Sequence, residues 1–395
     1  MKFLEEFIDK LKPQFEKGGK FEKLYYVFEG FETFLFQLGT TTSGKGVHIR
    51  DAIDLKRLMI TVVIAMTPAL LFGMWNVGHQ HFLAVGQEAD GWMKFFLGFK
   101  LVMPIVIVSY VVGLGIEFIF TSIKKHPIAE GFLVTGMLIP LVVPPTIPLW
   151  QVAMATAFAV VIGKEVFGGT GMNILNVALT ARAFLYFAYP MEISGDVWTY
   201  LGDEAAIDGF SGATPLAIAA ATEGTSTVVA ELSGAWTADF YSFSNMFFGF
   251  IPGSIGETST FWILIGAFIL WITRVGSGKI MFSVFAGAYV MAWIFNLVGA
   301  NAFMLMPPHY HLVMGGLAFG AVFMATDPVT AAQTEKGKWI YGFLVGLLTV
   351  LIRVFNPAYP EGIMLAILLM NVFAPLIDFY IVKANKKRRL QRATV

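Results

Sequence analysis

Residues 208–214 are the stretch of this chain whose types and spacing could do chemistry, because they present hydroxyl groups on a glycine-rich turn. Their sequence is Asp-Gly-Phe-Ser-Gly-Ala-Thr, and Pro215 follows. Gly209 and Gly212 allow positive φ angles, and a proline disfavours the helical conformation in the residue before it. The pattern therefore predicts a turn that presents the hydroxyl of Thr214 from an extended backbone. An ordinary loop outside the membrane is the alternative that these residues leave open.

The same seven residues resemble Asp-Gly-x-(Ser/Thr)-Gly-Ala-Thr, the signature on which a flavin transferase attaches FMN to the final threonine through a phosphoester. In a chain of this kind the signature is typical of the B subunit of the Na⁺-translocating NADH:quinone oxidoreductase (Na⁺-NQR), to which the D subunit of the Rnf complex is related. The resemblance implies that Thr214 carries covalent FMN. Asp208, Ser211, Gly212 and Ala213 would form the rest of the attachment motif.

Composition indicates an integral membrane protein. Of the 395 residues, 56% are hydrophobic and 14% are charged, whereas soluble proteins are about half apolar and a quarter charged. The formal net charge is zero, so nothing indicates a nucleic-acid partner. The chain has no cysteine, which excludes cysteine-ligated iron–sulfur clusters within it. Any redox cofactor must therefore be organic or bound to a partner.

Ten apolar stretches predict an all-α integral membrane fold of about ten transmembrane helices. They cover residues 58–77, 101–123, 128–144, 149–163, 174–189, 261–273, 280–298, 312–324, 339–352 and 363–382. Several are shorter than the ~20 residues of a straight span, which indicates broken or tilted helices. Residues 131–136 before Pro144 resemble residues 316–320 before Pro328. This internal repeat predicts two inverted five-helix repeats.

The chain divides into five predicted segments. An amphipathic N-terminal segment (1–57) precedes a first membrane repeat (58–189), a polar segment (190–260), a second membrane repeat (261–382) and a basic tail (383–395). The polar segment contains nine acids and no lysine or arginine. Because positive loops stay in the cytoplasm, both termini are expected there, with the polar segment on the outer, periplasmic face of a bacterial inner membrane.

Asn173 and Asn176 are a second candidate site. Their spacing places both on one face of a predicted helix. A buried amide in lipid needs hydrogen-bond partners, so bonds between helices are one interpretation. The resemblance implies another, contacts to a second, non-covalent flavin, riboflavin, whose imide and carbonyl groups can pair with amides.

Acids within spans or at their ends form a third candidate site. Na⁺ prefers oxygen ligands, which carboxylates and backbone carbonyls supply. The resemblance assigns Glu29, Glu117, Asp327 and Asp378 to a Na⁺ path, and solvated carboxylates are the alternative. Gly113 shares a face with Glu117, and the resemblance places ubiquinone near both. Close helix packing at a small residue is the alternative there.

Arg182 and Arg353 are the arginines expected at the outward ends of spans. Their isolation on a face without other basic residues suggests that one of them neutralises the FMN phosphodiester or a reduced flavin through a charge-assisted contact. Pairing with Glu361 or another outer acid is the alternative interpretation.

The resemblance implies a redox protein that passes electrons from FMN to riboflavin and then to ubiquinone, coupled to Na⁺ export. No dinucleotide-binding glycine fingerprint is present, so NADH is expected to bind elsewhere. Implied partners are an FMN-carrying C subunit, an NADH-oxidising F subunit and a flavin transferase. The long N-terminal segment favours the Na⁺-NQR protein over the Rnf D subunit. A passive channel or secondary transporter is the alternative from another class, since inverted repeats are typical of both.

Overall fold

A computed structural model describes residues 2–16, 18–35, 55–125, 131–193, 197–222, 227–236 and 239–393. Every regular element in these ranges is helical, so the all-α prediction is confirmed. The part of the predicted N-terminal segment between residues 36 and 54 lies outside the described residues.

The N-terminal segment contains two helices, α1 (Lys2–Phe15) and α2 (Tyr25–Leu35), as its apolar spacing predicts. They pack against each other through a stack of Phe15 on Phe28, with ring centroids 4.6 Å apart. The Lys12 ammonium also lies 2.6 Å from the Glu32 carboxylate. The hydrogen bond to Glu32 raises the pKa of Lys12, so this link persists into the alkaline range.

The first group of membrane helices begins with two long ones that pack along each other. The group comprises α3 (Leu55–Val85), α4 (Gly91–Lys124), α5 (Phe132–Leu141), α6 (Leu149–Gly163) and α7 (Val177–Ala188). A Cβ atom at Gly98 of α4 would overlap the Met74 carbonyl of α3. Because small residues let helix backbones approach in lipid, this glycine sets the distance between α3 and α4. α2 packs on the side of α4.

Three short helices connect the two groups of membrane helices. They are α8 (Pro215–Ala221), α9 (Val228–Gly234) and α10 (Phe243–Phe248). Each begins after a hydroxyl residue whose side-chain oxygen accepts a backbone N–H bond; these are Thr214, Thr227 and Ser242. Apolar side chains of the three helices, including Leu216 and Leu232, share a second hydrophobic core with Ala292 and Val350. The connecting segment is therefore packed onto the membrane helices and folded.

The second group, like the first, has both long and short apolar helices. It comprises α11 (Thr260–Ile272), α12 (Gly278–Val298), α13 (Pro308–Val313), α14 (Leu317–Phe319), α15 (Glu335–Phe355) and α16 (Ile363–Ala393). α14 continues as a π-helix, Gly320–Met324, which confirms a broken helix in this stretch. α16 runs unbroken into the predicted tail, so the basic residues 383–393 are helical.

The described residues of the ten apolar stretches fall mainly on helices, and six helices in this part of the chain are long and apolar enough to cross a membrane. α5, α7 and α11 are apolar but shorter. The protein is thus a multi-pass membrane protein by the length and composition of its helices. Ten spans and two inverted repeats stay predictions.

Candidate functional site

The backbone of residues 208–214 has the conformation that the sequence predicts. Gly209 and Gly212 have φ angles of +85° and +66°, in the left-handed region that favours glycine. Thr214 is extended, with φ −75° and ψ 155°, and Pro215 is the first residue of α8. Asp208 and Ser211 are exposed.

The hydroxyl of Thr214 caps α8. Its oxygen accepts the N–H of Ala217 at 3.2 Å, and the residue is half-buried. The carbonyl of Ala213, one residue earlier, accepts a hydrogen bond of 2.5 Å from the Tyr241 hydroxyl. These two hydrogen bonds hold the Thr214 side chain and the backbone of the residue before it, so the hydroxyl has a fixed position.

Thr214 lies on the wall of a cavity of about 340 Å³, named here the Thr214 cavity. This volume is within the range of small-molecule sites. The other walls include Tyr186, Trp198, Pro252, Tyr359 and Glu361. Tyr186 and Tyr359 pack edge to face, with centroids 4.4 Å apart, and Tyr186 donates a 2.8 Å hydrogen bond to the Ala358 carbonyl. These contacts give the cavity a rigid aromatic wall.

Buried charges lie behind the Thr214 cavity. Arg182 of α7 donates to both carboxylate oxygens of Glu257 at 3.1 Å, to the Val142 carbonyl at 2.6 Å, and to Glu361. Ser254 donates to Glu257 at 2.5 Å. The Arg182 side chain is 3% exposed. One guanidinium thus neutralises part of the charge of two carboxylates, and both of those residues line the cavity.

Arg353 is fully buried and donates to three backbone carbonyls: Glu361 at 3.0 Å, His311 at 2.7 Å and Met314 at 2.8 Å. Neither this arginine nor Arg182 lines the Thr214 cavity. For Arg182 the alternative interpretation, pairing with Glu361, is the observed one. The hypothesis that an arginine meets an anion in this cavity has no support in the described contacts.

A second cavity, of about 460 Å³, contains the two predicted asparagines and is named here the Asn176 cavity. Asn176 is the N-cap of α7, where its side-chain oxygen accepts the Leu179 N–H at 3.2 Å. Asn173 lies in the turn before and donates to the Leu175 carbonyl at 3.0 Å. The prediction that both lie on one helix face is therefore wrong, because the helix begins after them. Both nevertheless line one cavity.

Asp327, predicted for the Na⁺ path, also lines the Asn176 cavity. Its carboxylate accepts from the Thr330 hydroxyl at 2.9 Å, the Val329 N–H at 3.0 Å and the Asn176 amide at 3.4 Å. The structure thus joins two groups of residues for which the sequence predicts separate sites.

The other predicted acids lie apart from Asp327. Asp378 accepts the N–H groups of Gln333 and Thr334, at 2.7 and 3.0 Å, and so holds the start of α15. Glu117 pairs with Lys164, and Glu29 lies on α2. Among the described residues no three acids or histidines are grouped as a metal site would require. The four acids therefore do not form one binding site in this part of the chain.

Gly113 packs against the fully buried ring of Phe132, which a Cβ atom at Gly113 would overlap. The flat ring at this glycine thus belongs to the protein itself. This contact agrees with the close-packing alternative for Gly113, and a quinone near Gly113 and Glu117 stays a prediction.

We expect Gly113→Ala to destabilise the protein by about 1–3 kcal/mol, because the added methyl group overpacks the contact with Phe132. Thermal unfolding of the detergent-purified chain measures this. Gly113→Ala combined with Phe132→Leu is expected to recover most of the loss. A single Gly113→Ala variant with wild-type stability would contradict the packing interpretation.

A family model described as NQR2, RnfD, RnfE matches residues 42–387. The chain belongs to the NQR2, RnfD, RnfE family. Among its relatives, the B subunit of the Na(+)-translocating NADH-quinone reductase of Chromohalobacter salexigens is 49% identical, over 98% of this chain and 95% of that protein. The proteins of the same name from Ectopseudomonas mendocina and Pseudomonas aeruginosa are 48% and 46% identical. Their alignments also cover 98% of this chain, and 98% and 99% of those proteins.

These relatives confirm the resemblance to the Na⁺-NQR B subunit that the sequence analysis drew from residues 208–214. The family model begins at residue 42, whereas the alignments with the B-subunit proteins cover almost the whole chain. Membership of the family is therefore established by far more of the chain than residues 208–214.

Proposed function

We propose that this chain is the B subunit of a Na⁺-translocating NADH:ubiquinone oxidoreductase and that it carries FMN on Thr214. The observation that carries the proposal is the position of Thr214, whose hydroxyl is fixed at the wall of an aromatic cavity. Thr214 is also the last residue of the segment 208–214, which matches the attachment signature. The identity of 45–49% to proteins of that name supports the same activity.

The Thr214 cavity suits an isoalloxazine ring. Tyr186, Trp198 and Tyr359 offer aromatic faces, and the backbone around Pro252 and Gly253 completes the wall. The described lining contains no lysine or arginine, so the phosphate of FMN would lie towards solvent or a neighbouring protein of the complex. When bound, a flavin supplies electron-transfer chemistry that no side chain of this chain can supply.

The Asn176 cavity suits a second, neutral flavin. Asn173, Asn176 and Thr170 provide amide and hydroxyl groups, and Val134, Leu138 and Phe323 provide apolar surface. We therefore propose riboflavin as its occupant. α7 connects the two cavities, since Asn176 precedes the helix and Tyr186 lies near its end. The ten steps along the chain from Asn176 to Tyr186 rise about 15 Å at 1.5 Å per residue, a short separation for two redox groups.

We place the segment 190–260, and Thr214 with it, on the outer face of the inner membrane, with both termini in the cytoplasm. The absence of lysine and arginine from this segment supports the orientation. Electrons would then enter from an FMN-carrying C subunit after an F subunit has oxidised NADH, and ubiquinone would accept them. Asp327 is the predicted Na⁺ ligand that lies in a cavity, so coupling to Na⁺ is proposed there, by linkage between ion binding and flavin charge.

A covalent-flavin assay tests the proposal. The chain is expressed with and without its flavin transferase, denatured, and separated on a gel. A fluorescent flavin band at the position of this chain is expected with the transferase and none without it. A dark band under both conditions would overturn the proposal in favour of a channel or secondary transporter. Reduction of quinone by NADH in the assembled complex then separates this function from the ferredoxin-dependent reaction of an Rnf D subunit.

A further inference from the structure

We propose that Lys164 is the counter-ion of the molecule that occupies the Asn176 cavity, and that its ammonium group is shared between that molecule and Glu117. The inference rests on the proposed function, because it assumes a redox-active occupant. It concerns a residue that neither the attachment motif nor the predicted ion path includes.

Lys164 is buried between Glu117 and the Asn176 cavity. It follows Gly163 at the end of α6, its side chain is 5% exposed, and its ammonium pairs with Glu117 of α4, whose side chain is 3% exposed. The same lysine lines the Asn176 cavity together with Asn173 and Asn176. An ammonium has three N–H donors, and Glu117 is its one hydrogen-bond acceptor among the described residues. A buried donor without an acceptor is costly, so the cavity side of Lys164 favours a ligand with acceptor atoms.

Lys164 is the one basic residue in the described lining of this cavity. Lys124 lies 3.0 Å from the Glu165 carboxylate and 3.2 Å from the Glu165 carbonyl, and neither residue of this pair lines the cavity. Asp327 on the cavity wall is already held by three donors. The described lining of the cavity therefore carries one ammonium and one satisfied carboxylate.

The Lys164 ammonium and the Glu117 carboxylate have opposite electrostatic effects on a molecule in the cavity. One electron from a reduced flavin donor adds one negative charge to the occupant, and no proton need move if the Lys164 ammonium offsets that charge. Glu117 competes for the same ammonium and so weakens the effect. Lys164 must then favour the reduced occupant, while Glu117 must disfavour it.

The test uses the full-length chain expressed without flavin transferase and loaded with riboflavin, so that riboflavin is its one flavin. Bound riboflavin is quantified after release, and its midpoint potential is measured by spectroelectrochemical titration. Glu117→Gln is expected to raise the potential. Adding Lys164→Gln to that variant is expected to lower the midpoint potential by at least about 59 mV. For a one-electron couple this corresponds to a tenfold lower ratio of reduced to oxidised flavin at a given potential. The pair of variants avoids leaving Glu117 buried without a cation.

Lys124→Gln is the control, since it removes a lysine that also pairs with a glutamate but does not line the cavity, and it is expected to leave the potential unchanged. If Glu117→Gln and the double variant have equal potentials, with riboflavin bound in both, the proposed role of Lys164 is wrong. The proposed riboflavin site would not be affected by that result. If the wild-type chain retains no riboflavin, or if Asn176→Ala retains as much as wild type, the occupant or its position is wrong. The proposed riboflavin site and this inference then fail together.

Discussion

Replacing Thr214 by alanine is expected to abolish flavin fluorescence of the denatured chain completely. The proposed phosphoester needs the side-chain oxygen as its attachment atom, and alanine has none. The fold should survive, because the structural role of this oxygen is one N-cap hydrogen bond to the N–H of Ala217 at 3.2 Å. Loss of such a cap costs about 1 kcal/mol. In-gel fluorescence measures the flavin, and an immunoblot of the same gel measures the amount of chain.

Thr227→Ala is the matched control for this experiment. Thr227 caps α9 as Thr214 caps α8, and its oxygen accepts the Ala230 N–H at 3.3 Å. Both variants lose the same kind of hydrogen bond, so a general effect of cap removal would appear in both. Full fluorescence in Thr227→Ala with none in Thr214→Ala is the expected result. Retained fluorescence in Thr214→Ala would show that the flavin is attached to another residue.

The sequence predicted those parts of the fold that depend on local composition. The described apolar stretches became mainly helix, because backbone groups in lipid must be satisfied within the segment. The turn at Gly209 and Gly212 and the extended Thr214 followed from the φ preferences of glycine and from Pro215. Helix ends were less predictable: α16 continues to Ala393, since its lysines and arginines are themselves good helix formers.

The sequence suggested the pairing of Arg182 with Glu361 as an alternative, but it did not predict the other charge pairs inside the protein. Glu117 and Lys164 are 47 residues apart, Arg182 and Glu257 are 75 apart, and Arg182 and Glu361 are 179 apart. No periodicity records such separations, which are set by the packing of whole helices. A usable signal did exist, since an ionisable residue in an apolar stretch needs a partner. That rule indicates that Arg182 has an acidic partner, but not that it has two.

The position of Asp327 on the wall of the Asn176 cavity had a similar cause. The sequence predicts Asp327 at the end of one apolar stretch and Asn176 on a helix face within another. Their contact at 3.4 Å depends on how the π-helix Gly320–Met324 meets the start of α7. Non-local packing of this kind joined the proposed flavin site and the proposed ion path, and composition alone could not indicate it.

Arg182→Gln is expected to cause the largest loss of stability of the substitutions considered. The change leaves the buried Glu257 and the half-buried Glu361 at the Thr214 cavity without the guanidinium that contacts both. Removing one partner of a buried ion pair typically costs about 3–5 kcal/mol, because the remaining charge is neither solvated nor paired. Thermal unfolding of the purified chain in detergent, followed by size-exclusion chromatography, measures this loss.

Lys279→Gln is the matched control, since it breaks the ion pair with Glu335, in which both side chains are largely exposed to solvent. Exposed pairs contribute little, so its unfolding temperature should match that of the wild type. Adding Glu257→Gln to Arg182→Gln should recover part of the stability, because one of the two unpaired carboxylates is then neutral. If Arg182→Gln unfolds at the same temperature as Lys279→Gln, the cluster behind the Thr214 cavity is hydrated and its charges are not buried. The cavity would then be a wet cleft, poorly suited to hold an aromatic ring away from water.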